Sequence, residues 1–325
     1  ETWGIETEGV LTVAATATGG GITLQTSQAD STNNYEVVFR SSASFLAKSG
    51  PINLLGKQDT GISNGIAYLN GPLYLGSKAG SAVTSSSSDI TFSYDKFYWD
   101  TSVGNMPNFA TSGAVTWQPA SSSYGQAIDT VWMLFNRNSQ TMSSLTIGKP
   151  GNTANITVTN AVTANGPVRI YGGDISVVPT ITSAVVSDGI LIKASGNITI
   201  SNNLTTNGSP ITLWADSDAS GQGGIKVNNN VVIDSRTAAD RTAGTHTIGG
   251  GNITFAGGLD DGGTSTGTNG LITGLSANDG LPDGYAINFG TVYAQSGVSF
   301  GADAGGAQNA AISIYSGSGN IRVNA

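Results

Sequence analysis

Gly189-Ile190-Leu191-Ile192-Lys193-Ala194-Ser195-Gly196-Asn197-Ile198-Thr199-Ile200 contains two short apolar segments, each opened by a turn residue. Such segments of three to five residues suit strands whose side chains alternate between two faces, and they are too short for helices. The unit recurs upstream at Gly21-Ile22-Thr23-Leu24, Gly50-Pro51-Ile52-Asn53-Leu54, Gly71-Pro72-Leu73-Tyr74-Leu75, Asn155-Ile156-Thr157-Val158 and Gly166-Pro167-Val168-Arg169-Ile170. Downstream it returns at Pro210-Ile211-Thr212-Leu213, Gly224-Ile225-Lys226-Val227, Gly251-Asn252-Ile253-Thr254-Phe255 and Gly319-Asn320-Ile321-Arg322-Val323.

Spacing selects the architecture. Taking Val168, Ile190, Ile211, Val231 and Ile253 as equivalent gives steps of 22, 21, 20 and 22 residues. Secondary strands fall between them, at Ile175-Ser176-Val177, Ile198–Ile200 and Ile225–Val227. Two or three short strands per repeat of this length predict the coils of a right-handed parallel β-helix, an all-β solenoid. Successive coils then stack their Ile, Val and Leu at about 4.8 Å. An antiparallel sandwich also uses many short strands, but it does not require a fixed step. The regular coils are expected over residues 146–325. Residues 1–145 are expected to be a less regular β region with aromatic-rich loops or a side domain, continuous with the solenoid. Phe92, Tyr94, Phe97, Tyr98, Trp99, Trp117, Tyr124, Trp132 and Phe135 are concentrated there. Gln126–Phe135 reads equally as helix or strand.

Composition narrows the function. Only 10% of the 325 residues are charged, 46 are Gly, and 38% are hydrophobic. Disordered chains lack the regularly spaced apolar groups seen here. The net charge is −8 and no Lys/Arg cluster occurs, which disfavours binding to nucleic acid or to an anionic membrane surface. No apolar run approaches the ~20 residues of a membrane span, so no membrane insertion is expected. The absence of cysteine excludes disulfides and thiolate chemistry. Glu1-Thr2-Trp3-Gly4 does not open a signal peptide, so a secreted protein would be represented here by a processed or excised segment.

Gly196–Ile200, Gly251–Phe255, Leu145–Thr157 and Ile211–Asp218 resemble the repeats of filamentous-haemagglutinin-like exoproteins, the large surface adhesins of Gram-negative bacteria. The resemblance covers roughly residues 145–325. It implies secretion through an outer-membrane partner, a β-helical shaft, and a place at the cell surface in attachment or surface-layer building. The expected partner is a glycan or cell-surface receptor. The alternative is copies of the chain itself, stacked end to end in a filament, sheath or surface layer.

Each candidate site has a plainer reading beside it. His246 is the sole histidine; it lacks the partners of a triad or a zinc site and is expected to be structural. Asp260-Asp261, with Asp279 and Asp283, resembles the paired carboxylates of a glycosidase, yet Asp before Gly is ordinary turn chemistry. The chain is therefore expected not to be an enzyme. Asp216 and Asp218, in Asp216-Ser217-Asp218-Ala219-Ser220-Gly221, space two carboxylates as a calcium loop does, or else form a solvated turn. Calcium is the one cofactor in view. Asn155, Asn197, Asn203, Asn207 and Asn252 open Asn-x-Ser/Thr triplets. Stacked in successive coils, they are expected to form a hydrogen-bonded ladder rather than to carry sugar. Tyr98 and Trp99, in Asp95-Lys96-Phe97-Tyr98-Trp99-Asp100, are the candidate ligand contacts, because exposed rings stack on sugars. Against this, aromatic rings more often go inside.

Overall fold

The computed structural model describes residues 5–26, 37–56, 66–99, 106–186, 188–220, 223–245, 249–261, 277–278, 281–282, 298–300 and 312–323. The chain divides into two compact units, Glu1–Ala154 with Thr163–Asn165, and Asn155–Val162 with Gly166–Ala325. The protein is all-β, and within each unit short strands pair in parallel into three sheets.

In the first unit, one sheet stacks Ile5–Thr7, Val37–Phe39, Ile66–Leu69 and Lys96–Trp99. A second stacks Leu11–Ala15, Ala43–Ala47, Leu73–Gly76 and Pro107–Ala110. The third stacks Ile22–Gln25, Ile52–Leu55, Ile90–Ser93, Ala114–Gln118 and Ser144–Ile147. The chain visits the three sheets in turn and returns to the first, which is the coil of a parallel β-helix. In the third sheet Ile22, Ile52, Ile90, Val115 and Leu145 lie in register as one buried column.

The second unit repeats the plan. Val168–Gly172, Ile190–Ala194, Ile211–Ala215, Ile253–Gly257 and Ile321–Val323 form one sheet, with Val168, Ile190, Ile211, Ile253 and Ile321 in register. Ile156–Val158, Ile175–Val177, Ile198–Ile200, Ile225–Val227 and Val298–Phe300 form the next. Ile181–Ser183, Leu204–Thr206, Val232–Asp234 and Ser313–Tyr315 belong to the third. Val168–Gly172 and Ile190–Ala194 alternate buried and half-buried residues, as a sheet with one dry face requires.

One expected equivalence fails. Val231 does not join the column of Ile190 and Ile211; Ile253 pairs with Ile211 directly, 42 residues on. Val231 is buried beside Val232–Asp234, in another sheet. Residues 211–253 therefore make one enlarged coil, not two. Parallel register constrains only the strands, so extra residues enter at a turn without disturbing the stack. Here the insertion contains a short helix, Ala238–Ala243. Thr237 caps it by accepting from the Asp240 N–H, and Gly244 ends it in the left-handed region.

The glycine that opens many strands has a steric cause. At Gly189, with φ +74°, a Cβ would collide with the backbone of Pro210 in the next coil. At Gly251 it would collide with Ser209. Coils approach most closely at these corners, and only glycine fits.

The aromatic residues of the first half do not stand apart as a side domain. Phe92, Tyr94, Phe97, Trp117 and Tyr124 are buried within the first unit's coils, with neighbouring ring centroids 5.2–6.3 Å apart. Gln126–Phe135 is neither a full helix nor a full strand. Ile128–Asp129 is a two-residue strand and Thr130–Trp132 a single 3-10 turn. Among the described residues no helix is long and apolar enough to cross a membrane.

Candidate binding surfaces

The Lys96–Trp99 strand is held by parallel pairing to Ile66–Leu69, with Tyr98 opposite Tyr68. Alternation then places neighbouring residues on opposite faces. Phe97 is buried in the ring cluster, whereas Tyr98 is 44% exposed. The side chain of Trp99 and all of Asp100 lie outside the described residues. Asp95 is buried and accepts a hydrogen bond from the Ser121 N–H at 2.8 Å. Of the expected contact pair, the description therefore covers only the Tyr98 ring, and it is presented outward.

Beside the ring cluster lies a hollow of about 130 Å3, lined by Phe97, Trp117, Gln126, Ile128, Asp129 and Trp132. Gln126 Nε2 donates to the Phe97 carbonyl at 3.1 Å, and Asp129 Oδ1 accepts from the Val131 N–H at 2.8 Å. These bonds fix an amide, a carboxylate and the half-buried Trp132 around one opening. Trp117 Nε1 is buried and has no hydrogen-bond acceptor among the described residues. A buried donor left unpaired costs about 1–3 kcal/mol. The sequence reading placed Trp132 in the aromatic stretch but missed Gln126 and Asp129. The available signal was Asp129 two residues before Val131, the spacing of a side-chain cap.

Tyr124 closes the cluster by donating its hydroxyl to the Trp117 carbonyl at 2.7 Å. Burial pushes its pKa well above the ordinary tyrosine value, against a backbone hydrogen bond that lowers it, with Asp95 adding to the rise.

The Asp216–Asp218 turn separates its two carboxylates. Asp216 is fully buried in a left-handed conformation, φ 47°, and accepts from Ser220 Oγ at 3.1 Å. Asp218 is exposed and accepts from the Ser220 N–H at 3.2 Å. Among the described residues no three His, Cys, Asp or Glu side chains gather as a metal site would need. His246, Asp279 and Asp283 lie outside the described residues. Asp260 is near Lys193, whose ammonium rests 3.3 Å from the centroid of the Trp214 ring. Burial lowers the Lys193 pKa, and Asp260 opposes the shift. Trp214 Nε1 donates to the Gly258 carbonyl at 2.6 Å, which latches the following turn over the indole.

The charges around the short helix are spent on one another. Arg236 binds Asp234 through two nitrogens and lies 4.2 Å from the Tyr315 ring centroid. Arg241 donates to the Thr206 carbonyl, and buried Asp240 accepts from Thr245 Oγ1 and the Gly249 N–H. This arrangement anchors the inserted segment to the coils.

The five asparagines of the Asn-x-Ser/Thr triplets share one role. Each Oδ1 accepts a main-chain N–H from the next coil: Asn155 from Asp174, Asn197 from Gly224, Asn203 from Val232, Asn207 from Ala238 and Asn252 from Asn320, at 2.7–3.0 Å. Asp174 occupies the equivalent corner between two of them and accepts from the Asn197 N–H at 2.8 Å. The five asparagines thus act structurally, but not as the expected ladder of stacked asparagines: each makes a side-chain-to-backbone tie, and of these five only Asn252 meets another asparagine, Asn320, in the next coil.

No family model, curated protein or solved structure matches the chain.

Proposed function

We propose that this chain is a segment of an extracellular bacterial surface protein, a β-solenoid that spans distance and mediates attachment. The supporting observation is the stacking device of the second unit. Each of five corners is tied to the next coil by an asparagine side chain, in addition to the backbone pairing of three sheets. Bonds repeated along the stacking direction resist separation of coils, and that is what a spanning segment needs. The repeats that resemble filamentous-haemagglutinin-like exoproteins support the same reading. Attachment is assigned to the first unit, where exposed Tyr98 and the Trp132 hollow offer ring faces beside an amide and a carboxylate, a composition suited to sugars.

Electron microscopy of the purified chain tests the spanning role. Single rods support it; long periodic fibres replace it with the self-assembling alternative, and compact globules remove both. A glycan panel tests the contact. Trp132→Ala should abolish binding to the neutral glycans the intact chain retains, while undiminished binding in that variant would clear the hollow of the role.

A further inference from the structure

A second cavity of the first unit, about 170 Å3, has a different chemistry. Lys78, Arg137, Ser77, Asn108, Asn138 and Tyr74 line it. The chain has only 13 basic residues and a net charge of −8, yet two cations share this wall. Neither Lys78 nor Arg137 has a carboxylate partner among the described residues, in contrast to Arg236 and Arg169, which pair with Asp234 and Asp188.

The wall is pre-organised. Lys78 Nζ sits 4.3 Å from the Tyr74 ring centroid, so a cation–π contact holds the ammonium in place without neutralising it. Arg137 stands on a turn in which Asn136, Asn138 and Ser139 all have positive φ, between 53° and 58°. Both ends of that turn are pinned. Asn136 Nδ2 donates to the Thr163 carbonyl at 2.8 Å, and Gln140 bonds Ser77 Oγ and the Ser86 carbonyl at 2.6 Å each. Asn138 Nδ2 reaches Ser77 Oγ at 3.3 Å. Asn108 is buried, with its Nδ2 committed to the Met106 carbonyl at 2.7 Å and the Leu73 carbonyl at 3.3 Å. Its Oδ1 takes no hydrogen bond from the described residues and stays available as an acceptor.

We infer that this cavity binds a uronate, the carboxylate-bearing sugar of an acidic polysaccharide. The guanidinium of Arg137 matches a planar carboxylate through two parallel N–H bonds, and Lys78 adds a fixed point charge. The amides of Asn108 and Asn138 supply groups that pair with ring hydroxyls, while the buried Ser77 hydroxyl holds the wall together through Gln140, the Ala110 carbonyl and Asn138. The volume falls below the ~300 Å3 lower end of ordinary ligand pockets, which suits one sugar ring and not an oligosaccharide. This inference rests on the attachment reading and gives it a ligand class.

The test is calorimetric titration of the intact chain with galacturonate and glucuronate, beside galactose and acetate. Uronate should bind at least tenfold more tightly than either control. The Lys78→Met/Arg137→Gln variant should lose at least tenfold, and Arg137→Lys should recover only part, because the charge returns without the fork. Circular dichroism on each variant confirms that these surface changes leave the coils intact. Equal binding of galactose or acetate, or unchanged uronate affinity in the double variant, overturns the inference, as does no measurable uronate binding by the intact chain. Neutral-glycan binding through the Trp132 hollow does not depend on this cavity, so failure of uronate binding leaves the attachment reading standing, while a chain that binds uronate but no neutral glycan clears only the hollow.

Discussion

Between Ile90 and Tyr124 the first unit fills its interior with rings, whereas from Val168 to Ile253 the second unit fills it with Ile, Val and Leu. The spacing of coils differs in parallel. Partners in the long sheet of the first unit are 30, 38, 25 and 30 residues apart, at Ile22, Ile52, Ile90, Val115 and Leu145. In the second unit they are 22, 21, 42 and 68 apart, from Val168 to Ile321. Register survives all these lengths. A coil is therefore defined by three short strands and not by a residue count, and its turns are free to vary. In the second unit aliphatic side chains fill the interior and asparagine ties the corners, across the 68-residue step as well as the shorter ones. In the first unit aromatic residues fill the interior, and Ser, Gln and Asn152 side chains bind the loops, as in the Asn152 Oδ1 contact to the Tyr124 N–H at 3.1 Å.

The sharpest way to break this contrast is to empty the ring cluster. Trp117→Ala removes a fully buried indole among Phe97 and Tyr124 and should cost about 3–5 kcal/mol. Hydrogen exchange followed by mass spectrometry should show protection falling in peptides of the first unit and holding in those of the second. Equal losses in both units would mean that the two interiors do not act independently.

The corner ties should show a smaller effect, confined to the second unit. Asn197→Ala deprives the buried Gly224 N–H of its acceptor, at a cost of about 1–3 kcal/mol. Exchange should rise at Gly224–Val227 first. If Asn197→Ala leaves exchange at Gly224–Val227 unchanged, the tie carries no stability.

The smallest effect is one of pH. The Tyr124 pKa is raised in the folded state, so its stabilising contribution is complete below about pH 10, the ordinary tyrosine value, and is lost as pH rises through the folded pKa. Tyr124→Phe should blunt that alkaline loss while costing about 0.5–1.5 kcal/mol at neutral pH for the missing hydrogen bond to Trp117. Thermal denaturation at pH 7 and at pH 10.5 checks both signs. An alkaline slope unchanged in the variant would place its origin elsewhere.

The sequence alone determined the strand class, the parallel coil and the apolar columns, because a period of two between turn residues is a local property written in each segment. It pointed to the asparagines as stacking residues, but which corner each one ties was set by the coils, since Asn197, Asn203 and Asn252 precede strands of three different sheets. It did not determine which sheet a given strand joins. Leu73–Gly76 and Ile52–Leu55 carry the same turn–apolar–polar–apolar signature, yet they belong to different sheets. For the same reason Val231 looked equivalent to Ile211. Assignment depends on pairing with the coils on either side, which is not a local property. The candidate sites divide likewise. Tyr98 was singled out for its ring, and the outward place of that ring came from strand pairing. The hollow at Trp132 and the cavity shared by Lys78 and Arg137 were not legible, because each needs walls from other coils, Phe97 and Trp117 against the Gln126–Trp132 segment and Lys78 against Arg137, which meet only once the coils have stacked.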